Sequence, residues 1–175
     1  MVKPLFTPRL QLIPTTAALA RAELESLSLF SRMLGAHVPN TWPPDLLADA
    51  VPVFVEQLEV TPSLEGWLSW YWLRRGVAGQ APVLIGSGGF KGPPGPGGTV
   101  DVGYSVLPEH QGQGYATEAV RRLSTWAFEH PQVARVVAET GADNAPSLRV
   151  LRKLGFQPSG LGSEPGMMRF TLLRE

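Results

Sequence analysis

The order of the predicted elements places this chain in the mixed α/β class, as a layered domain and not as a strictly alternating one. Three observations support this. Short runs that are apolar or alternate in polarity, typical of strands, recur from Arg9 to Leu173. Longer runs with apolar residues three and four apart, typical of helices, lie between them. The resulting order is β-α-α-β-β-β-α-β-α-β-β, in which helices first come together and later alternate with strands.

The first half of the chain predicts two helices among strands. Thr15 and Thr16 are candidate caps of the first helix, and Pro52 is a kink or boundary within the second. A rigid proline-rich connection, His37–Pro44, separates the two helices. In order, these elements are the strand Arg9–Ile13, the helices Ala17–Phe30 and Asp45–Val60, and the strands Trp67–Arg74 and Val83–Phe90.

The second half alternates strands and helices. Lys91–Gly98 is predicted to be a turn, and His130-Pro131 to end the longer helix. Asp143 or Asn144 lies near the start of a short helix and Gly155 just past its end. The elements are the strand Val100–Leu107, the helix Tyr115–Phe128, the strand Val133–Thr140, the helix Pro146–Leu154, and strands from Phe156 onward and at Met167–Leu173.

Composition limits the classes of function. A length of 175 residues with 43% hydrophobic residues predicts one soluble domain over residues 1–175. The formal net charge is zero, whereas a nucleic-acid-binding domain is usually basic. The absence of cysteine rules out disulfides, thiolate metal sites and a cysteine nucleophile, and it favours a cytoplasmic protein. The N-terminus lacks the apolar core of a signal peptide, and no apolar run could span a bilayer. We therefore expect no nucleic acid, membrane or metal among the partners.

The most informative segment joins a strand to a helix through a turn with two glycines, Gln111-Gly112-Gln113-Gly114-Tyr115-Ala116. Such a turn at a helix N-terminus leaves several backbone N–H groups unpaired at the positive end of the helix dipole. That arrangement binds phosphate or pyrophosphate. The sequence therefore predicts a phosphorylated cofactor.

A dinucleotide-binding domain is one candidate for this turn. Gly112-x-Gly114 opens a helix, and Glu139 lies near the end of the next strand, where a ribose-binding acid would lie. Two observations count against it. The third position of that fingerprint is Thr117, which is too large for close helix–strand packing. Only 36 residues follow Glu139, too few to complete a doubly wound sheet.

Three motifs in order instead resemble the GNAT superfamily of N-acetyltransferases. Gln111-x-x-Gly114-x-Ala116 is similar to the family's pyrophosphate-binding signature. Asn144-x-x-Ser147 and Lys153-Leu154-Gly155-Phe156 are similar to the second half of its cofactor site. The stretch Asp101–Phe156 and the opening Thr7-Pro8-Arg9-Leu10-x-Leu12 most resemble the RimJ/RimL-like branch, whose namesakes acetylate protein N-termini.

This resemblance implies a central twisted mixed sheet of six to seven strands with helices on both faces. Two central strands, Val100–Leu107 and Val133–Thr140, would splay apart to hold acetyl-CoA. The N–H groups of the glycine turn would cradle its pyrophosphate, and the backbone before the turn would pair with its pantetheine arm. The implied cofactor-binding residues are Ser105, Val106, Leu107, Gln111, Gly112, Gln113, Gly114, Tyr115, Ala116, Thr117, Asn144 and Ser147.

The resemblance also implies acetyl transfer to a primary amine, on a protein N-terminus or a small molecule, directly within a ternary complex. The backbone N–H of Val106 would meet the thioester oxygen. Asp101 and Glu139 are the candidate bases that would deprotonate the amine, and each could instead be an exposed strand-end carboxylate.

Leu151 stands where many relatives carry the tyrosine that protonates the leaving thiolate. The role of acid then falls to Tyr104, Ser147, water or no group. This departure keeps a second hypothesis open, a non-catalytic CoA-binding regulatory module on the same scaffold. The sequence does not determine the acceptor or the oligomeric state, and a homodimer is compatible with it.

Overall fold

One eight-stranded sheet forms the centre of the molecule. The computed structural model describes residues 1–174, and the side chains of all of them except Asp45 and Leu46. The strands are β1 (Leu5–Phe6), β2 (Leu10–Pro14), β3 (Ser69–Arg74), β4 (Val83–Phe90), β5 (Thr99–Val106), β6 (Arg135–Gly141), β7 (Gln157–Leu161) and β8 (Met167–Leu173). Their order across the sheet is β1-β2-β3-β4-β5-β6-β8-β7. The pair β5–β6 is parallel, and the other neighbours are antiparallel.

Helices cover both faces of this sheet. They are α1 (Ala17–Glu25), α2 (Leu27–Leu34), α3 (Asp45–Ala48), α4 (Val51–Val60), α5 (Tyr115–Phe128) and α6 (Ala145–Lys153). Apolar residues of α1 and α2 pack on one face, and those of α5 and α6 pack on the other, so two buried clusters sandwich the sheet. The predicted mixed α/β class, with helices on both faces, is confirmed.

The aromatic run on β3 supplies both clusters. Successive side chains of a strand point to opposite faces. Accordingly Trp70 and Trp72 join the cluster under α5, whereas Tyr71 joins the one under α1 and α2. Trp70 and Trp72 are 0% exposed, so both side chains lie entirely in the core.

The sheet has one strand more than the six to seven predicted. The additional strand is β1, two residues long, in which Leu5 pairs with Leu12 of β2. A pair of residues carries no periodicity, so no sequence pattern indicates this strand.

The predicted helix Ala17–Phe30 is two helices in the structure. Ser26 breaks it with an extended backbone (φ −162°, ψ 141°), and its hydroxyl accepts a hydrogen bond from the Leu29 N–H at 3.0 Å. Serine competes with helical hydrogen bonding in this way, so it ends α1 and caps α2. Thr16 caps α1 as predicted, because its hydroxyl accepts from the Leu19 N–H. Thr15 does not cap; its side chain is buried.

The second predicted helix, Asp45–Val60, is also divided. α3 ends at Ala48, and α4 starts at Val51 with Pro52 in its first turn. Proline is tolerated there because the first-turn N–H groups have no partner within the helix. Pro52 is therefore a boundary and not a kink.

Candidate active site

β5 and β6 separate halfway along their length. Only three positions pair between them, and the last is Asp101 with Val137. Beyond it, β5 stays paired with β4 as far as Val106, and β6 stays paired with β8 as far as Gly141. The two halves of the sheet therefore diverge and leave a wedge-shaped cleft at its centre. The predicted splay of these two strands is present.

A cavity of about 710 Å³ occupies this cleft and continues above one face of the sheet. It is bounded by β4, β5 and β6, by the start of α6, and by α3 and α4. Of the predicted site residues, Ser105, Glu139, Asn144 and Ser147 line it. The cavity is large enough to hold more than one small substrate group.

The backbone of Val106 faces the cleft. Leu107 donates its N–H to the carbonyl oxygen of Ile85 on β4, at 2.8 Å. Neighbouring residues of an extended strand direct their N–H groups to opposite edges. The Val106 N–H therefore points away from β4, toward the gap that β6 leaves. The same alternation turns the backbone of Ser105 toward β4. Three residues are predicted to pair with a pantetheine arm. Leu107 and Ser105 already use their backbone within the sheet, which leaves the backbone N–H of Val106.

The glycine turn leads directly into α5. Gly112 and Gly114 both have positive φ, 72° and 83°, which glycine adopts without strain. Within the described chain, α5 has no side-chain cap, and the backbone N–H groups from Gly112 to Thr117 have no acceptor. Gln111 turns inward, and its side-chain amide donates to the Val106 carbonyl oxygen at 2.9 Å. These N–H groups, those of Gln113, Tyr115 and Ala116 among them, are free donors at a helix N-terminus, the arrangement that the predicted anion site requires.

Arg9, just before β2, fixes this turn in place. Its guanidinium donates to the Gln113 carbonyl oxygen at 2.9 Å and to the Glu118 carboxylate at 2.7 Å, and it lies 4.4 Å from the ring centre of Tyr115. In the sequence Arg9 stands out only as part of a family motif. Its contact with the turn spans 104 residues of sequence, a separation that no local pattern reveals.

The start of α6 brings two hydroxyl groups together. Asn144 caps the helix, because its side-chain oxygen accepts from the Ser147 N–H at 3.2 Å. The Ser147 hydroxyl lies 2.9 Å from the Tyr104 hydroxyl, so the pair bridges β5 and α6 beside the cleft. Burial raises the pKa of Tyr104, which keeps its proton in place. Leu151 is 0% exposed and belongs to the core.

Asp101 lies where β5 and β6 begin to separate. One carboxylate oxygen accepts from the Lys91 ammonium at 3.1 Å, and the other is buried without a partner among the described residues. Burial raises the pKa of Asp101, Lys91 lowers it, and the negative charge of Glu139 raises it further, so that the net shift is upward. A carboxylate with a raised pKa accepts a proton more readily, as a general base must.

Glu139 is bound very differently. Its carboxylate accepts from the backbone N–H and the hydroxyl of Ser163, at 2.9 and 2.7 Å, and from Arg169 at 3.0 Å. These bonds, those of Ser163 foremost, lower its pKa to about 2, and its side chain is 4% exposed. Such a carboxylate has no lone pair directed at a substrate and holds a proton weakly. Its contacts fit a role in fixing the β7–β8 hairpin, so the geometry favours Asp101 over Glu139 as the base.

Several residues around the cavity have no distinctive sequence pattern. The sequence predicts only a turn at Lys91 and a strand at Arg169. Ser69 and Ser87 are buried and joined by a 2.6 Å hydrogen bond between their hydroxyls. Register alone brings them together, since Tyr71 pairs with Ser87 and places Ser69 on the same face.

In the part of the chain that the structure describes, no three His, Asp or Glu side chains are placed to hold a metal ion. No helix of residues 1–174 is both long and apolar enough to cross a membrane.

Comparisons with known proteins agree with this arrangement. The family model described as acetyltransferase (GNAT) domain matches residues 9–157. An uncharacterized N-acetyltransferase of Bacillus subtilis, YjdG, is 31% identical over 123 residues, which are 70% of this chain and 71% of that protein. Matches to further Bacillus N-acetyltransferases cover less than half of each of those proteins.

Solved structures share the fold across the whole chain. A RimL ribosomal-protein α-N-acetyltransferase in complex with coenzyme A superposes with a TM-score of 0.67 at 15% identity, covering 98% of each chain. RimJ of Mycobacterium smegmatis, in complex with CoA-disulfide, gives 0.63 at 22% identity, covering 98% of this chain and 86% of that one. At these identities the likeness concerns the fold.

Proposed function

This chain belongs to the GNAT family of acetyltransferases, and from that premise we propose that it transfers an acetyl group from acetyl-CoA to a primary amine, directly within a ternary complex. The observation that carries the proposal is the divergence of β5 from β6 after Asp101, next to a helix N-terminus without a side-chain cap. The absence of cysteine supports direct transfer, because an acetyl-thiolate relay has no nucleophile.

The residues of the turn and cleft fit acetyl-CoA. The free N–H groups from Gly112 to Thr117 would hold its pyrophosphate, and Gly114 leaves room for the backbone to approach. Ser147 and Asn144, across the cleft on α6, would line the path of its arm. When bound, acetyl-CoA supplies an acetyl group already activated as a thioester.

The backbone N–H of Val106 would stabilise the oxyanion of the transfer. It points into the gap between the strands and has no acceptor in the described chain. A donor aimed at a developing oxyanion contributes roughly 3–4 kcal/mol to the transition state.

Asp101 would serve as the base for the amine. An amine of ordinary pKa ~10 is protonated at neutral pH and cannot attack until it loses a proton. Asp101 and Val106 lie five positions apart on an extended strand, about 16 Å at ~3.3 Å per residue. The carboxylate would therefore receive the proton through a chain of several waters.

Tyr104 and Ser147 would together supply a proton to the leaving thiolate. Their hydroxyls share a hydrogen bond beside the cleft, and burial keeps Tyr104 protonated. The pair takes the place of the tyrosine that Leu151 replaces.

The acceptor amine has two candidate sources, a protein N-terminus and a small molecule. RimL, which shares the fold, is a ribosomal-protein α-N-acetyltransferase. The chemistry of the cavity wall in this chain bears on the kind of body that carries the amine, whichever source supplies it.

The proposal is tested by measuring free CoA release across a panel of amines and short peptides. Release that requires both an amine and acetyl-CoA supports it. The competing hypothesis is a non-catalytic CoA-binding module, which the loss of the usual tyrosine favours. Tight CoA binding in calorimetry, with no release for any acceptor, would support that module instead.

A further inference from the structure

Part of the cavity lies away from the cleft between β5 and β6. Beyond the cleft between β5 and β6 it extends over the sheet face that carries Asp101, Gly103 and Ser105, beneath α3 and α4. This part, which we term the acceptor chamber, is bordered by Lys91, the ion-pair partner of the proposed base Asp101, and by Gly103, two residues along β5 from it. It is the space available to the group that bears the amine.

The roof of the acceptor chamber is apolar. α4 uses Val51 and Leu58 for the core, and two more of its apolar side chains, Val53 and Phe54, line the cavity, Val53 with 48% exposure. Leu47 and Ala50 extend the same surface, and Gln57 is its polar member. Among the described roof side chains none is charged.

The floor is neutral. The hydroxyl groups of Ser69 and Ser87 form a hydrogen bond with each other at 2.6 Å. Gly103, beside them on β5, is exposed, and a Cβ placed on it would meet no atom within 4 Å. A side chain at this position would project into the chamber, so glycine keeps the floor open.

The charges at the edge of the chamber are already matched. Lys91 pairs with Asp101, and Glu139 pairs with Arg169, across β4, β5, β6 and β8. The acidic and basic members are equal in number. Apart from the proton acceptor itself, no described side chain of the wall offers an unmatched charge to a second charge on the ligand.

Resting on the proposed function, we propose that the acceptor is a primary amine carried on an apolar, uncharged body. Burial of apolar surface against Val53 and Phe54 favours such a body. A second ammonium or a carboxylate would lose its hydration in the chamber without gaining a partner, which is costly. The same chemistry is offered by a small alkyl or aryl amine and by a peptide whose first side chain is apolar.

Matched acceptors test this inference. Pentylamine and cadaverine have the same carbon chain and differ in one charge. The peptide amides Leu-Ala-Ala, Lys-Ala-Ala and Glu-Ala-Ala differ only in the first side chain. We expect kcat/KM at least about tenfold higher for the neutral member of each set, the scale that pocket complementarity provides. The set with the higher values distinguishes a small amine from a peptide.

Gly103→Val tests whether the body of the acceptor occupies the acceptor chamber. Valine is favoured in strands, and its Cβ would meet no atom within 4 Å, so its side chain would project into the chamber. Turnover of pentylamine should fall about tenfold or more, that of methylamine should change by less than about threefold, and acetyl-CoA affinity should be unchanged. Gly95→Val is the matched control, because Gly95 lies in the exposed loop after β4, has a φ of −82°, and does not line the cavity.

The two proposals fail in different ways. Equal or better use of cadaverine and of the Lys or Glu peptides overturns the inference while the acetyltransferase reaction stands. If no amine is turned over, the proposed function fails, and calorimetry of the same amines with the CoA-bound protein still ranks them. Equal or tighter binding of the charged members then overturns the inference, and tighter binding of the neutral members supports it.

Discussion

Asp101 and Val137 form the last pair between the two central strands, and the sheet divides immediately after them. The proposed base therefore lies at the apex of the cleft, where its carboxylate is partly buried and loses hydration. The raised pKa of Asp101 follows from that position. The separation of β5 from β6, which would make room for a substrate, thus also raises the pKa of the carboxylate that would deprotonate it.

Asp101→Asn should remove most activity without loss of stability. A positioned base contributes about 10²- to 10⁴-fold to rate, so kcat should fall by that order. Because the pKa of Asp101 is raised by folding, the ionised carboxylate opposes folding as pH rises through that pKa. The melting temperature of Asp101→Asn at pH 8 should therefore equal or exceed that of the parent protein. A marked fall in melting temperature at pH 8 would contradict this account.

The same pKa governs the acid side of the pH–rate profile. Activity should fall as pH drops through the pKa of Asp101, above the ordinary range for aspartate. Glu139→Gln removes a negative charge that raises this pKa, and frees the positive Arg169, which lowers it. The acid limb of kcat/KM should therefore move to lower pH in Glu139→Gln. A limb that stays in place would show that Asp101 is not the group titrating.

Glu139 should contribute to stability at neutral pH. Its pKa is lowered to about 2 by hydrogen bonds from Ser163 and Arg169, so its stabilisation is present above the unfolded value near 4.5 and declines as pH falls toward 2. Glu139→Gln should cost about 1–3 kcal/mol in urea unfolding at pH 7, the scale of bonds to a charged group. Glu164→Gln, in the exposed β7–β8 loop, is the control and should change little. A cost for Glu139→Gln that is as large at pH 2 as at pH 7 would refute the assignment.

The free N–H groups of the glycine turn can be tested through backbone strain. Alanine at Gly114 must adopt φ 83°, and its Cβ would approach Arg9 at 3.3 Å and crowd the pyrophosphate side. We expect acetyl-CoA affinity in calorimetry to fall at least about tenfold, with a folding cost of roughly 1–2 kcal/mol.

Gly35→Ala provides the matched control. Gly35 has a φ of 69°, a Cβ added to it would meet no atom within 4 Å, and it ends α2, outside the cavity. The substitution should cost similar folding energy and leave acetyl-CoA binding intact. Equal affinity losses in the two variants would mean that strain, and not the turn, sets the affinity.

Tyr104→Phe should lower kcat about tenfold or more while acetyl-CoA affinity remains. Burial raises the pKa of Tyr104, so the hydroxyl stays protonated over the working range and the loss should be the same from about pH 6 to 9. Since Tyr104 and Ser147 act through one hydrogen bond, adding Ser147→Ala should produce little further loss. Fully additive losses in the double variant would show that the two hydroxyls act independently.

Local patterns predicted the elements around the site better than the site itself. The glycine turn, α5 and the Asn144 cap follow from a few neighbouring residues, and these lie where expected. The break at Ser26 is not predicted from the sequence, because a serine within an apolar periodic run is compatible both with a helix interior and with a cap, and only the structure shows that its hydroxyl accepts from the Leu29 N–H. Strand β1 was missed because it is two residues long.

Contacts set by strand register were not predictable. Lys91 reaches Asp101 from the loop after β4. The three donors to Glu139, which lies on β6, come from the β7–β8 hairpin. Asp101 and Glu139 looked alike in the sequence, each a carboxylate on a splayed strand. Their neighbours distinguish them. Asp101 has one carboxylate oxygen without a partner among the described residues, whereas the Glu139 carboxylate accepts hydrogen bonds from Ser163 and Arg169.

The hydrogen bonds of Arg9 tie the chain near position 9 to the glycine turn of the proposed cofactor site. A truncated protein that lacks the leading residues, or a circular permutant opened near position 10, would release that turn and impair coenzyme recognition.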